Sequence, residues 1–139
     1  RIYVAITGEH RVIVLDDSGL RPRVWDFVKA GVNVPAGDFS WPDNLAFDAR
    51  GNLYVLEDVP GNEMKERDRT DDVWVAEPDR NRDGLADGVH RFAAWAPVGV
   101  EPSGAVFSPD GCTLYINSLE GGSNHEEGAV LEVTGFCKR

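Results

Sequence analysis

Short runs of Val, Ile, Leu, Tyr, Phe and Trp alternate with polar positions along the chain, and clusters of Gly, Asp, Asn or Pro close each run. A period of two with regular turn residues predicts β-strands. Ten are expected, at residues 2–7, 11–16, 23–28, 44–48, 53–57, 72–77, 89–95, 104–108, 113–118 and 129–134. No segment keeps apolar residues at helical spacing over three turns. The fold class is therefore all-β.

A repeat refines that class. FSWPDNLAFDARGNLYVLED, residues 39–58, is echoed by VEPSGAVFSPDGCTLYINS, residues 100–118. Phe47 and Gly51 reappear sixty residues on as Phe107 and Gly111. Leu53-Tyr54-Val55 matches Leu114-Tyr115-Ile116, and Ile2-Tyr3-Val4 is a third copy. A further strand follows each: Val12 to Leu15, Val73 to Ala76, Val130 to Val133. Self-similarity at this period, with about four strands per unit, predicts a β-propeller. The chain reads as one domain, 1–139, of about two and a half blades dividing near 1–34, 35–98 and 99–139. The first blade lacks its innermost strand and the last its outermost. Open blade faces and edges need cover, so further polypeptide or a partner chain is expected to complete the ring. A free-standing ten-stranded sandwich is the alternative, and the echo argues against it.

Composition narrows the function. A chain of 139 residues is one domain by length, and 42% hydrophobic residues with four Trp and six Phe are enough for a core. A net charge of −10 and a pI near 4.6 argue against a nucleic-acid partner, whose phosphates need clustered Lys and Arg, and suit cations. No apolar run approaches the roughly 18 residues of a membrane span. The chain opens at Arg1 inside a strand pattern, so it reads as a piece of something longer. Cys112 and Cys137 lack zinc-type spacing. The first enters the second strand of the last blade and the second follows its third strand. Antiparallel neighbours bring such positions within disulfide reach, roughly 4.4–6.8 Å between Cα atoms. A disulfide would place the protein outside the reducing cytosol, in the periplasm or secreted.

Three patterns offer chemistry. Asp79, Asn81, Asp83, the carbonyl of Leu85 and Asp87 stand at positions 1, 3, 5, 7 and 9 of a calcium-type loop, with Gly84 at its sharp turn. His90 stands where a bidentate Glu is usual, and no helices flank the loop; an Asp/Gly-rich surface turn is the alternative. Asp43 and Glu101 precede the innermost strands of two blades, where acids converging on the channel would form an oxygen-rich metal site. Turn chemistry beside Pro and Gly explains them equally. Glu57, with Asp58, ends a second strand, as Glu9-His10 and Glu120 do; solvated loop acids are the alternative there. His125-Glu126-Glu127 reads as an ordinary turn, and the mixed-charge run 63–72 as a loop. No nucleophile elbow, phosphate-binding Gly-rich loop or HExxH is present, so an enzyme built on this chain would work through carboxylates and metals.

The two echoed stretches, with residues 1–34 as a preceding blade, resemble the C-terminal part of the PhoX-type alkaline phosphatase family. The resemblance implies a secreted six-bladed propeller that hydrolyses phosphate monoesters with calcium and iron held by channel acids. It implies metal-ligand roles for Asp43 and Glu101. Ser118-Leu-Glu-Gly-Gly replaces the family's Gln-His-Pro-Gly-like continuation. The family's cysteine ligand and its substrate-contacting Arg and Trp belong to more N-terminal blades. Two other readings stay open: a non-catalytic, calcium-stabilised propeller that docks a partner, and a lactonase-type propeller hydrolase.

Overall fold

The computed structural model describes residues 1–63, 69–94, 100–121 and 128–137. Ten strands are present: β1 (Ile2–Ile6), β2 (Arg11–Asp16), β3 (Arg23–Lys29), β4 (Pro42–Phe47), β5 (Leu53–Glu57), β6 (Asp72–Ala76), β7 (Val89–Ala94), β8 (Val100–Phe107), β9 (Thr113–Gly121) and β10 (Ala129–Thr134). They form three antiparallel sheets ordered β1-β2-β3, β4-β5-β6-β7 and β8-β9-β10. These are propeller blades in an open array, and β4 lies against both β1 and β8.

The repeated Gly residues are turn residues. Gly51 (φ +85°) and Gly111 (φ +71°) adopt left-handed backbone, which L side chains disfavour. Their N–H groups donate to the carbonyls of Asp48 (3.1 Å) and Ser108 (2.8 Å). Asp48 then accepts the amides of Arg50 and Asn52, each at 2.8 Å. Ser108 Oγ does the same for Cys112 (3.2 Å) and Thr113 (3.0 Å).

Strand alternation divides the core in two. Leu53 and Val55 of β5 face Val12, Val14, Phe27, Val28, Phe39 and Trp74. Tyr54 and Leu56 face the opposite way, toward Val73, Val100, Leu114 and Ile116. Every residue of β5 is buried, because a neighbouring blade covers each face of its sheet. β2 instead alternates between buried and half-buried positions, and β10 is mostly exposed.

Two strand starts depart from the sequence reading. β4 begins at Pro42 and β8 at Val100, so the segments read as turns before the inner strands are themselves strand. Pro42 pairs with Glu57 and Pro102 with Ser118. Both prolines lie on inner edge strands, where a missing N–H need not break a ladder. Trp95 and His125-Glu126-Glu127 fall outside the described residues. Cys112 and Cys137 are disulfide-bonded, Cα atoms 4.7 Å apart, next to the Thr113–Thr134 pair that ends the β9–β10 ladder.

Candidate metal centre

Asp43 and Glu101 both lie at register shifts of inner strands. The β4–β5 register shifts between Pro42 and Asn44, leaving Asp43 without a cross-strand partner. The β8–β9 register also shifts, between Val100 and Pro102, but there two steps along β8 face three along β9, so the extra residue lies on β9 opposite Glu101. A bulge bends the strand and re-aims the extra side chain. Because β4 and β8 are adjacent, the two acids come to one place.

Asp58, just beyond the end of β5, joins them. One ligand atom from each of Asp43, Asp58 and Glu101 lies within 4.8 Å of the others. Among the described residues, this is the one set of three His, Cys, Asp or Glu side chains gathered so closely. Asp43 and Asp58 are exposed and Glu101 is half-buried.

The chain around the cluster is fixed by hydrogen bonds. The Asp58 amide donates to the Trp41 carbonyl at 2.9 Å, tying the loop after β5 to the segment that enters β4. Trp41 has φ +45°, a conformation costing of order 1–3 kcal/mol for a non-Gly residue. Its amide donates to His10 Nδ1 at 3.0 Å, and its indole N–H to Glu63 at 3.2 Å. The Asn44 amide group donates to Asp43 Oδ2.

Electrostatics makes the cluster costly without a counterion. Partial loss of solvent raises the Asp58 carboxyl above its ordinary range, and Asp43 adds to the shift. Burial raises Glu101 in the same direction, reinforced by Asp58 and Asp43. Bringing like charges together disfavours ionisation, and a cation placed among them reverses that. The donors are all carboxylate oxygens, the type that suits calcium.

Glu57 stands apart from this group. Its side chain is fully buried and both oxygens are engaged. Oε1 accepts the Ser40 amide (2.6 Å) and the Trp74 indole N–H (3.0 Å). Oε2 accepts from Arg69 (2.9 Å) and the Asp72 amide (3.2 Å). Burial pushes this carboxyl up to about 7, against the pull of those donors. The structure places Glu57 as a bracket joining the 39–41 segment to β6, one residue from the cluster.

The loop at 79–87 connects β6 to β7, and its acids serve its own backbone. Asp79 accepts the amides of Arg82 (2.6 Å), Asp83 (3.1 Å) and Gly84 (3.0 Å). Asn81 accepts the Asp83 amide (2.8 Å), Asp83 the Leu85 amide (2.9 Å), and Asp87 the Arg80 amide (3.2 Å).

A family model described as Alkaline phosphatase PhoX matches residues 23–122. The chain belongs to the PhoX alkaline phosphatase family. No curated protein and no solved structure matches it. The PhoX match runs from β3 through β9 and so contains the whole carboxylate cluster. The PhoX family uses metals, which agrees with the hardness of this donor set.

Of the strand-end pair Glu57–Asp58 marked in the sequence, the fold gathers Asp58 with Asp43 and Glu101. Sequence reading passed over Asp71, read as part of a mixed-charge loop. Asp71 is fully buried. One of its oxygens accepts the Val59 amide at 2.7 Å, and the other has no hydrogen-bond partner among the described residues. Burial pushes this carboxyl up to about 7, with Asp58 and Glu101 pushing the same way. No motif marks it; only its burial beside the cluster does.

Proposed function

We propose that this chain forms the divalent-cation half-site of a PhoX-type phosphate monoester hydrolase working outside the cytosol. The observation that carries the reading is the convergence of Asp43, Asp58 and Glu101 within 4.8 Å in a chain of that family. The residues fit calcium, since all three offer hard oxygens and none offers a thiolate. Iron rests on the family resemblance alone, and Cys112 and Cys137 are engaged in their disulfide. The disulfide supports an oxidising compartment.

Cations bound there would neutralise charge on a phosphoryl group and polarise its oxygens. Asp43 and Glu101 supply ligands from two neighbouring blades, so the site reports whether β4 and β8 are correctly placed. Asp58 closes the third side, held by the hydrogen bond its backbone N–H donates to the Trp41 carbonyl. With ten more acidic than basic residues in the chain, a phosphate dianion is repelled until cations are in place.

Metal analysis and a phosphatase assay on the intact protein test the reading. Release of p-nitrophenol from p-nitrophenyl phosphate should need calcium and stop in chelator. Asp43→Ala and Glu101→Ala should each abolish it. Turnover that survives both substitutions removes the cluster from the reaction. Bound calcium without turnover leaves a calcium-stabilised propeller module.

A further inference from the structure

The unpartnered oxygen of Asp71 is the starting point. Buried polar atoms nearly always find a partner, so each exception calls for a physical explanation. The residue beside it shows the contrast. Asp72 is matched by Arg91 at 2.8 Å and lies 3.8 Å from Arg69. Among the described residues Asp71 has only the Val59 amide, and its strongest carboxylate neighbours are Asp58 and Glu101, two of the three clustered acids.

We propose that Asp71 is a positioning carboxylate of the cation site: one oxygen anchors the Asp58 segment and the other is kept free for the bound cation or its water. The anchoring half is visible. Val59 follows Asp58 directly, so the Val59–Asp71 bond fixes the backbone on one side of Asp58 while the Trp41 carbonyl fixes the other. The free half follows from cost. An unpaired buried carboxylate oxygen beside two more acids is unfavourable in the empty protein, and a cation among the acids supplies the missing partner. Groups of this kind behind a metal's direct ligands tune affinity by about 10–100-fold. The inference rests on the cation reading above and adds a fourth acid to it.

Asp71→Asn in the intact protein separates the possibilities. It keeps an acceptor for the Val59 amide and removes the charge. Calcium affinity, measured by titration calorimetry and by the calcium-induced rise in melting temperature, should weaken about 10–100-fold. In chelator the variant should melt at or above the wild-type temperature, since a buried carboxylate beside two acids is gone. Wild-type calcium affinity in the variant overturns the proposal while leaving the cation reading intact. Equal destabilisation with calcium and with chelator also overturns it, because Asp71 would then be purely structural. Wild-type protein that takes up no calcium, with Asp58→Asn equally silent, overturns both. Asp71→Ser, which retains a hydroxyl acceptor, provides the same readouts if the amide variant fails to fold.

Discussion

Tyr54 meets Phe107 edge to face across the gap between the second and third blades, ring centroids 5.2 Å apart. Tyr3 meets Phe47 in the same way across the first gap, at 4.8 Å. Each tyrosine also touches a phenylalanine of its own blade: Tyr3 with Phe27 at 5.1 Å, Tyr54 with Phe92 at 5.2 Å. Phe27 and Phe92 are each the residue skipped where the register shifts between the last two strands of the blade. One joint is therefore built twice, with a bulge aiming the ring each time. This correspondence aligns β1 with β5, the second strand of the complete blade.

The joint should carry much of the stability. Tyr54 is almost wholly buried and touches Phe92, Phe107 and Phe136. Tyr54→Ala should cost about 3–5 kcal/mol, as large aromatic truncations in cores do. Tyr3→Ala, at a half-buried position, should cost less. Urea unfolding of both variants checks the order; equal losses would refute it.

Reducing the Cys112–Cys137 bond should destabilise the third blade. The cysteines are 25 residues apart, and closing a loop of that size contributes about 3.5 kcal/mol in the chain-entropy model. The neighbouring Phe136 packs on Phe107 at 5.1 Å, so its release would also loosen the joint with the second blade. Melting with and without reductant measures the effect, and Cys112→Ser with Cys137→Ser should abolish the difference.

Substitutions at Glu57 and Asp58 should differ in their dependence on calcium. Glu57→Gln breaks a buried bracket and leaves Arg69, itself only 14% exposed, without its carboxylate. The loss should be about 3 kcal/mol, at the low end for a broken buried pair because Asp72 still lies 3.8 Å from Arg69, and it should be the same with or without calcium. Asp58→Asn should leave stability in chelator near wild type and remove the calcium-dependent rise in melting temperature. Thermal denaturation in both conditions distinguishes the two.

The first blade should set the acid limit. Hydrogen bonding to Lys29 holds the Asp26 carboxyl below its ordinary value of 3.8, with Arg11 acting the same way against burial. Because the folded-state pKa is depressed, the stabilisation is present above pH 4 and is lost as pH falls through the lower folded value. Melting temperature should therefore drop below pH 4, and Asp26→Asn should flatten that drop while lowering stability at pH 7. An unchanged acid slope in the variant would remove Asp26 as a source.

The strand pattern, the turn glycines and the sixty-residue echo were legible in the sequence because each is a local demand. A strand shows its faces every second residue, and Gly51 and Gly111 mark backbone that other residues adopt only under strain. Asp43 and Glu101 were legible as a pair, since each adjoins the proline at the front of its repeat, Asp43 after Pro42 and Glu101 before Pro102. The residues completing the site depended on distance and burial. Along the chain Glu57 and Asp58 are equivalent acids at a strand end. Which of them meets Asp43 is decided by the alternation of β5, which buries Glu57 under Trp74 and Ser40 and leaves Asp58 beyond the strand. Asp71 looked like one more charge in a polar loop until packing removed its water and set it beside Asp58 and Glu101. The sequence determined the blades; only the tertiary structure decided which carboxylates share a site. Bulge geometry and desolvation arise between strands, and no single strand encodes them.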